Sequence, residues 1–125
     1  MGYDAFRRAV EARDHVGMVE ALAPDVVLDS PITFKPFRGR ETVSLLFGVL
    51  LATFEDFRYT DELAGDGVHA LIFEARIGDR QVQGLDLIRA DANERIGEFT
   101  VMVRPASGLM ALAERMGPAL QAAGV

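Results

Sequence analysis

The sequence has no cysteine, few histidines and no long apolar run, and each of these features excludes a class of protein. Without cysteine there is no disulfide, no thiolate metal site and no cysteine nucleophile. His15 and His69 lie far apart with no other metal ligands at suitable spacing, so no metal is expected. The longest apolar run, Leu45–Thr53, is far shorter than the ~20 residues that cross a bilayer. We therefore expect no membrane partner.

Basic residues are also in the minority, with 13 Lys and Arg against 19 Asp and Glu and a formal net charge of -6. Proteins that bind nucleic acid need a basic surface to neutralise phosphates, so nucleic acid is not an expected partner. No targeting segment is visible before Arg7 and Arg8, which predicts a cytoplasmic location. The 125 residues are 50% hydrophobic and 26% charged, which predicts a single globular domain over residues 1–125.

The first half of the sequence has mainly helical periodicity. Apolar residues spaced three and four apart predict two short helices that end at Pro24. A β-branched, apolar segment, Asp25–Ser30, then predicts a buried strand, and Pro31–Gly39 predicts a loop. Helical spacing returns over Arg40–Phe57 and predicts a central helix.

From Arg58 onward the apolar period falls to two, and turn signals recur between the segments. The pattern predicts four antiparallel strands over Arg58–Ala64, Val68–Ile77, Gln81–Ala90 and Arg95–Arg104. A short C-terminal helix is predicted after Pro105, interrupted at Gly117-Pro118. The expected fold class is α+β, with a curved antiparallel sheet wrapped around the N-terminal and central helices so that it encloses a cone-shaped pocket.

The predicted strand pairing places one acidic residue on an apolar face. A two-residue turn at Gly78-Asp79 pairs Leu71 with Asp86, and closing the next hairpin at Ala90 pairs Phe99 with Asp86. A carboxylate in such surroundings is costly unless it is paired, protonated or facing a cavity. Asp86 is therefore the candidate general acid/base, or a neutral acid that donates a hydrogen bond to a ligand. A register slipped by one residue is the alternative, and it would turn Asp86 to solvent.

Two other features of this region have a structural and a functional interpretation. His69 shares the predicted face with Asp86, where it is either a packed residue or an assisting catalytic group. The segment Gly65–Ala70 matches the G-x-G-x-x-A sequence motif of a dinucleotide-binding loop. It leads into a predicted strand rather than a helix, so no dinucleotide cofactor is expected. The opposite sheet face carries an apolar patch of four residues, Ile72, Leu85, Leu87 and Met102. A patch of this kind predicts a homodimer.

An ordered set of segments resembles the NTF2-like superfamily, specifically its SnoaL-like and ketosteroid-isomerase-like branch. The segments are Phe6–Val10 leading into Asp14, Leu22–Val27, Ser30-Pro31, Gly39–Glu41 and Gly84–Ile88. The resemblance covers nearly the whole chain and implies a conical pocket for small apolar molecules and dimers through the outer sheet face. The family includes isomerases, polyketide cyclases, dehydratases, epoxide hydrolases and proteins without catalysis, so the fold does not determine the reaction.

The resemblance also allows the isomerase's functional positions to be compared one by one. Its oxyanion tyrosine falls at Phe6, its catalytic base at Ser30 and its second pocket acid at Asp86. Two of the three groups are therefore missing, and a true ketosteroid isomerase is not expected.

The sequence thus predicts a domain that binds an apolar small molecule, with Asp86 as its buried ionisable anchor. The residues expected to line the pocket are Phe6, Phe47, Leu71, Phe73, Ile88, Phe99 and Val101. One alternative is a SnoaL-like cyclase or isomerase-type enzyme that uses Asp86 as acid/base, assisted by His69 or Ser30. Another alternative is a non-catalytic dimeric interaction module that works through the outer sheet face.

Overall fold

The computed structural model describes residues 2–124, and it confirms the α+β class. In chain order the elements are α1 (Gly2–Glu11), α2 (His15–Glu20), β1 (Leu22–Asp29), β2 (Phe37–Arg38), α3 (Arg40–Thr53), β3 (Glu55–Ala64), β4 (Val68–Ile77), β5 (Arg80–Ala90), β6 (Ile96–Arg104) and α4 (Ala106–Ala123). None of the helices within residues 2–124 is both long and apolar enough to cross a membrane.

The six strands form one curved sheet in the order β2-β1-β6-β5-β4-β3. Strands β3 to β6 make the antiparallel meander predicted from the turn signals. One pairing departs from the predicted antiparallel arrangement, because β1 pairs parallel with β6. Pro24 lies inside β1 rather than ending the preceding helix, and the β1–β6 register shifts between Leu22 and Val27. A proline has no N–H to donate, and such an irregularity in the ladder accommodates it.

The predicted register is correct for one hairpin and displaced for the next. Leu71 pairs with Asp86 in the β4–β5 ladder, as the Gly78-Asp79 turn predicts. In the β5–β6 ladder Asp86 pairs with Val101, not with Phe99. The loop is one residue longer than predicted, and a bulge between Arg89 and Ala90 adds a second one-residue shift. Two shifts of one residue restore the side-chain alternation, so the predicted face is kept while the partners change.

The C-terminal helix is longer than predicted and is not interrupted. It runs for 18 residues through Pro118, and it packs against α3 and the sheet with Leu112 and Met116 buried. Pro118 lies on the exposed side of the helix, where water can reach the carbonyl that lacks a partner. Packing of the apolar residues on the buried side therefore stabilises the helix along its whole length, and the helix continues past the proline.

An aromatic cluster joins the first helix, the central helix and the sheet. Ring centroids lie 5.1 Å apart for Phe6 and Phe99, 5.6 Å for Phe47 and Phe99, and 5.7 Å for Phe6 and Phe47. All three side chains are almost fully buried. Each contributes roughly 2–3 kcal/mol by leaving water, so this cluster holds α1 and α3 against the concave side of the sheet.

Candidate functional site

A cavity of about 260 Å³ lies between the helices and the concave face of the sheet. Most of its lining is aromatic or aliphatic, including Phe6, Phe47, Phe54, Phe73, Phe99 and Val101. Two polar side chains, Tyr59 of β3 and Asp86 of β5, reach the same cavity from the sheet. The cavity therefore has a largely apolar wall, in which Tyr59 and Asp86 form one local polar group.

Asp86 is a buried acid within this apolar wall. Its side chain projects from the middle of β5, between Leu71 on β4 and Val101 on β6, and only 6% of the residue is exposed. Burial raises the pKa of Asp86 from 3.8 to about 7, and the hydrogen bond from Tyr59 opposes that rise. The register that would have turned Asp86 to solvent is thus excluded.

Tyr59 is the hydrogen-bond partner of Asp86. Its hydroxyl donates to Oδ2 of Asp86 over 3.4 Å, which is a long hydrogen bond. Burial and the neighbouring carboxylate both raise the pKa of Tyr59, because each disfavours a phenolate. The phenol therefore stays protonated at physiological pH.

The sequence pattern does not indicate Tyr59 as a cavity residue, and a bulge explains why. An unbroken ladder from the Asp66-Gly67 turn would place Tyr59 opposite Glu74, on the outer face of the sheet. The register instead shifts between Tyr59 and Asp61, so Tyr59 pairs with Phe73 and faces the cavity. No turn residue in this part of β3 marks the bulge, so the sequence carries no signal for it.

A network of charged residues surrounds the outer end of Tyr59. The guanidinium of Arg7, on α1, lies 5.4 Å from the centroid of the Tyr59 ring and donates from Nη1 to Oε1 of Glu62 over 2.7 Å. This hydrogen bond is the main reason why the pKa of Glu62 is lowered. Arg7 also lies 3.4 Å from Glu11, one turn further along α1. These contacts fix α1 over the tyrosine ring.

His69 belongs to that network. It is not among the described residues that line the cavity. Its ring stacks on Tyr3 with the centroids 4.4 Å apart, and its Nε2 lies 3.1 Å from Oε2 of Glu62. The histidine therefore packs between the start of α1 and the edge of the sheet. The structure does not bring it together with Asp86.

Ser30 lies at the end of β1, outside the cavity. Its Oγ accepts hydrogen bonds from the backbone N–H groups of Ile32 and Thr33, both over 3.3 Å. It lines a different, open cleft together with Phe34 and Met102. The side chain therefore caps a turn, which explains a serine at this position without any chemical role.

Five of the predicted lining residues, Phe6, Phe47, Phe73, Phe99 and Val101, share the cavity with Asp86. Leu71 and Ile88 are fully buried in the adjoining core instead. The cavity rim is polar, since Glu11, Arg13 and Asp56 are exposed residues that border it. No group of three or more potential metal ligands occurs within residues 2–124.

Comparison with solved structures places the chain in a family. A steroid delta-isomerase from Pseudomonas aeruginosa is 42% identical over 97% of this chain and 90% of its own, with a TM-score of 0.91. The chain belongs to the NTF2-like superfamily, in its SnoaL-like and ketosteroid-isomerase-like branch. Comparison with protein-family models gives no match, and comparison with curated proteins gives none.

More distant structures share the NTF2-like fold alone. An NTF2-like protein of unknown function from Mesorhizobium loti is 16% identical, covers 83% of this chain and 88% of its own, and has a TM-score of 0.73. A SnoaL-like protein of unknown function from Burkholderia thailandensis is 18% identical, covers 82% and 92%, and has a TM-score of 0.66. This NTF2-like chain therefore has the predicted family and fold, and its chemistry has to be argued from its own side chains.

Proposed function

We propose that this NTF2-like protein binds a neutral, largely apolar small molecule that carries one carbonyl or hydroxyl oxygen. The observation that carries the proposal is the burial of Asp86, hydrogen-bonded to Tyr59, in the wall of an otherwise apolar cavity. An apolar lining with few convergent polar groups is typical of small-molecule sites. The apolar body of the ligand would contact the phenylalanines, and its oxygen would lie at Asp86 and Tyr59.

The protonation states of the two side chains define which ligand atoms fit them. Below pH about 7 Asp86 is neutral and can donate its proton, and Tyr59 stays protonated. A neutral carbonyl oxygen can accept from this pair, and a hydroxyl can accept from it or donate to it. An anionic ligand group would be disfavoured once Asp86 ionises.

A second candidate function is proton transfer with Asp86 as general acid/base. An acid with a pKa of about 7 suits this task near neutral pH, and a 42% identical protein is named a steroid delta-isomerase. In a SnoaL-like cyclase or isomerase-type reaction, Tyr59 would assist Asp86, because it touches the carboxyl group. The assisting groups proposed from the sequence, His69 and Ser30, are not among the described lining residues, and their side chains contact Glu62 and the backbone N–H groups of Ile32 and Thr33 instead.

The outer sheet face is proposed as a homodimer interface. Ile72, Leu85 and Met102 form a row across three neighbouring strands, and 53% of Met102 is exposed. An apolar row of this kind is unusual on a monomer. The same face would serve a non-catalytic interaction module, which is the third function considered. The cytoplasmic location stays a prediction from the sequence.

Calorimetric titration with 2-naphthol, an apolar two-ring probe with one hydroxyl, tests the binding proposal. Leu50→Trp fills the cavity from α3, because Leu50 lines it, and we expect the affinity to fall by at least about tenfold. Leu45→Trp is the matched control, since Leu45 is on the same helix but 42% exposed and away from the lining. Binding by the Leu50→Trp variant with wild-type affinity would contradict the proposed site.

A further inference from the structure

Gly84 lies beneath an aromatic ring of the cavity wall. It pairs with Phe73 across the β4–β5 ladder, two residues before Asp86 on the same face of β5. A Cβ atom at Gly84 would lie 2.0 Å from Cζ of Phe73, 2.4 Å from Cε2 and 2.7 Å from Cε1. No real carbon atom tolerates such approaches, so the Phe73 ring can lie flat on the sheet only above a glycine.

The other side of the Phe73 ring is also occupied. Phe57 stacks on it with the centroids 4.6 Å apart and the planes at 23°, and Phe54 meets it edge-on at 5.5 Å. Phe57 in turn meets Tyr59 at 5.1 Å and 90°. Gly84, Phe73 and Phe57 therefore form one stacked layer, which reaches the tyrosine that is hydrogen-bonded to Asp86.

This layer faces the cavity. Phe54, Phe57 and Phe73 all line it, and Phe73 is almost fully buried, so a ring raised from the sheet has no path to solvent. It would move toward Phe57 and into the cavity. The cavity volume beside Asp86 therefore depends on residue 84 being a glycine, which has no Cβ.

We propose that Gly84 is a specificity-determining residue, which sets the largest ligand that fits beside Asp86 by letting Phe73 lie flat against the sheet. The inference rests on the proposed binding function and deepens it. The preferred ligand class is then one with two or more fused or linked apolar rings, since a single ring would not need this space. Alanine at position 84 should convert the site into one that accepts single-ring ligands only.

The test compares the affinities of phenol and 2-naphthol by calorimetry. Gly84→Ala should weaken 2-naphthol binding by about tenfold or more and change phenol binding by less than about threefold. Gly97→Ala is the matched control, because it also replaces a strand glycine and its Cβ would meet nothing closer than 3.6 Å. Both affinities should stay at the wild-type values in the control. The double variant Gly84→Ala/Phe73→Leu should regain 2-naphthol binding, since the shorter side chain no longer collides.

Each outcome bears on a distinct claim. Equal losses for both probes in Gly84→Ala, or no loss for either, would overturn the size-limit role while leaving the binding function intact. A wild-type protein that binds neither probe would contradict the proposed function and this inference with it. If Gly84→Ala shows no cooperative thermal unfolding, the single variant Phe73→Leu tests the size limit instead. The ratio of 2-naphthol to phenol affinity should rise in that variant, and an unchanged ratio would overturn the inference.

Discussion

At the scale of single residues, Asp86 differs from an ordinary surface acid through its surroundings. The β4–β5 turn predicts its position, because a two-residue loop fixes the register of the following ladder. Its hydrogen-bond partner could not be predicted, because Tyr59 reaches the cavity through a bulge that no turn residue announces. The sequence therefore predicts that Asp86 is in the site, but it does not predict that Tyr59 is there.

The raised pKa of Asp86 predicts a pH dependence of stability. The folded protein holds this proton up to pH about 7, whereas the unfolded chain releases it near 3.8. The free energy of unfolding should therefore fall as pH rises through this window and level off above it. Asp86→Asn cannot ionise, so it should match wild type near pH 4 and exceed it by up to about 4 kcal/mol above pH 7.

Chemical denaturation of both proteins from pH 4 to pH 8 measures this difference directly, because contributions from other titrating groups cancel between them. Clear destabilisation of Asp86→Asn near neutral pH would show instead that Asp86 is ionised and stabilised by a partner.

Residues Phe6 and Ser30 predict that this protein does not isomerise 3-oxo-Δ5 steroids efficiently. Phe6 has no hydroxyl and is packed in the aromatic cluster, and Ser30 lies outside the cavity. Loss of a positioned base typically costs about 10²- to 10⁴-fold in rate. The absorbance of the conjugated enone should therefore rise slowly with wild type.

The assay includes Ser30→Asp and Phe6→Tyr/Ser30→Asp, which introduce the side chains that the family resemblance implies for an isomerase at these two positions. Rapid turnover by wild type would contradict the prediction, since the base would then have to be another residue. A gain of activity in the double variant alone would support the comparison of positions.

At the scale of elements, the turn-defined hairpins follow from the sequence, and the contacts between distant elements do not. The β4–β5 ladder depends on a local turn, whereas the pairing of β1 with β6 joins strands that are separated in the chain by α3 and by β3, β4 and β5. The bulge between Arg89 and Ala90 lies at Gly97 of β6, and a single glycine in a strand indicates a bulge without fixing how far the register shifts. Helix α4 was predicted to be short because Pro118 is a strong local signal, yet burial of Leu112 and Met116 outweighs it.

Two glycines in α4 should respond to alanine to different extents. A Cβ at Gly108 would lie 2.5 Å from Cγ1 of Val82 and 2.9 Å from the carbonyl oxygen of Gln81, so Gly108→Ala should cost about 1–3 kcal/mol. At Gly117 no atom outside the adjacent residues lies within 4 Å, but Pro118 follows it, and the proline ring disfavours helical backbone in a preceding residue that carries a Cβ. This opposes the gain in helix propensity, so Gly117→Ala should change the stability by less than about 0.5 kcal/mol. Thermal unfolding measures both, and equal effects would mean that α4 does not press against β5 at Gly108.

At the scale of the whole molecule, the sheet has two faces with different proposed roles. The concave face holds the cavity with Asp86, and the outer face carries the apolar row with Met102. The alternation of side chains along each strand predicts this division, and the structure keeps it because the register shifts between β5 and β6 preserve the faces.

The outer face predicts a homodimer that a single charge disrupts. Leu87→Glu places a carboxylate beside the apolar row, and sedimentation at tens of micromolar should show the variant as a monomer and wild type as a dimer. Val16→Glu is the control, because Val16 is exposed on α2, away from this face. A monomeric wild type, or a dimer indifferent to Leu87→Glu, would contradict the interface.

The most direct test of the central claim is a methyl NMR titration with 2-naphthol of protein labelled at its five methionines. Met18 lines the cavity, whereas Met102 lies on the outer sheet face and Met110 is exposed on α4. If the ligand binds in the cavity, the Met18 signal should shift in a saturable manner while the signals of Met102 and Met110 stay in place. A shift of Met102 with no change at Met18 would contradict the central claim, because the ligand would then bind the outer face rather than the cavity beside Asp86.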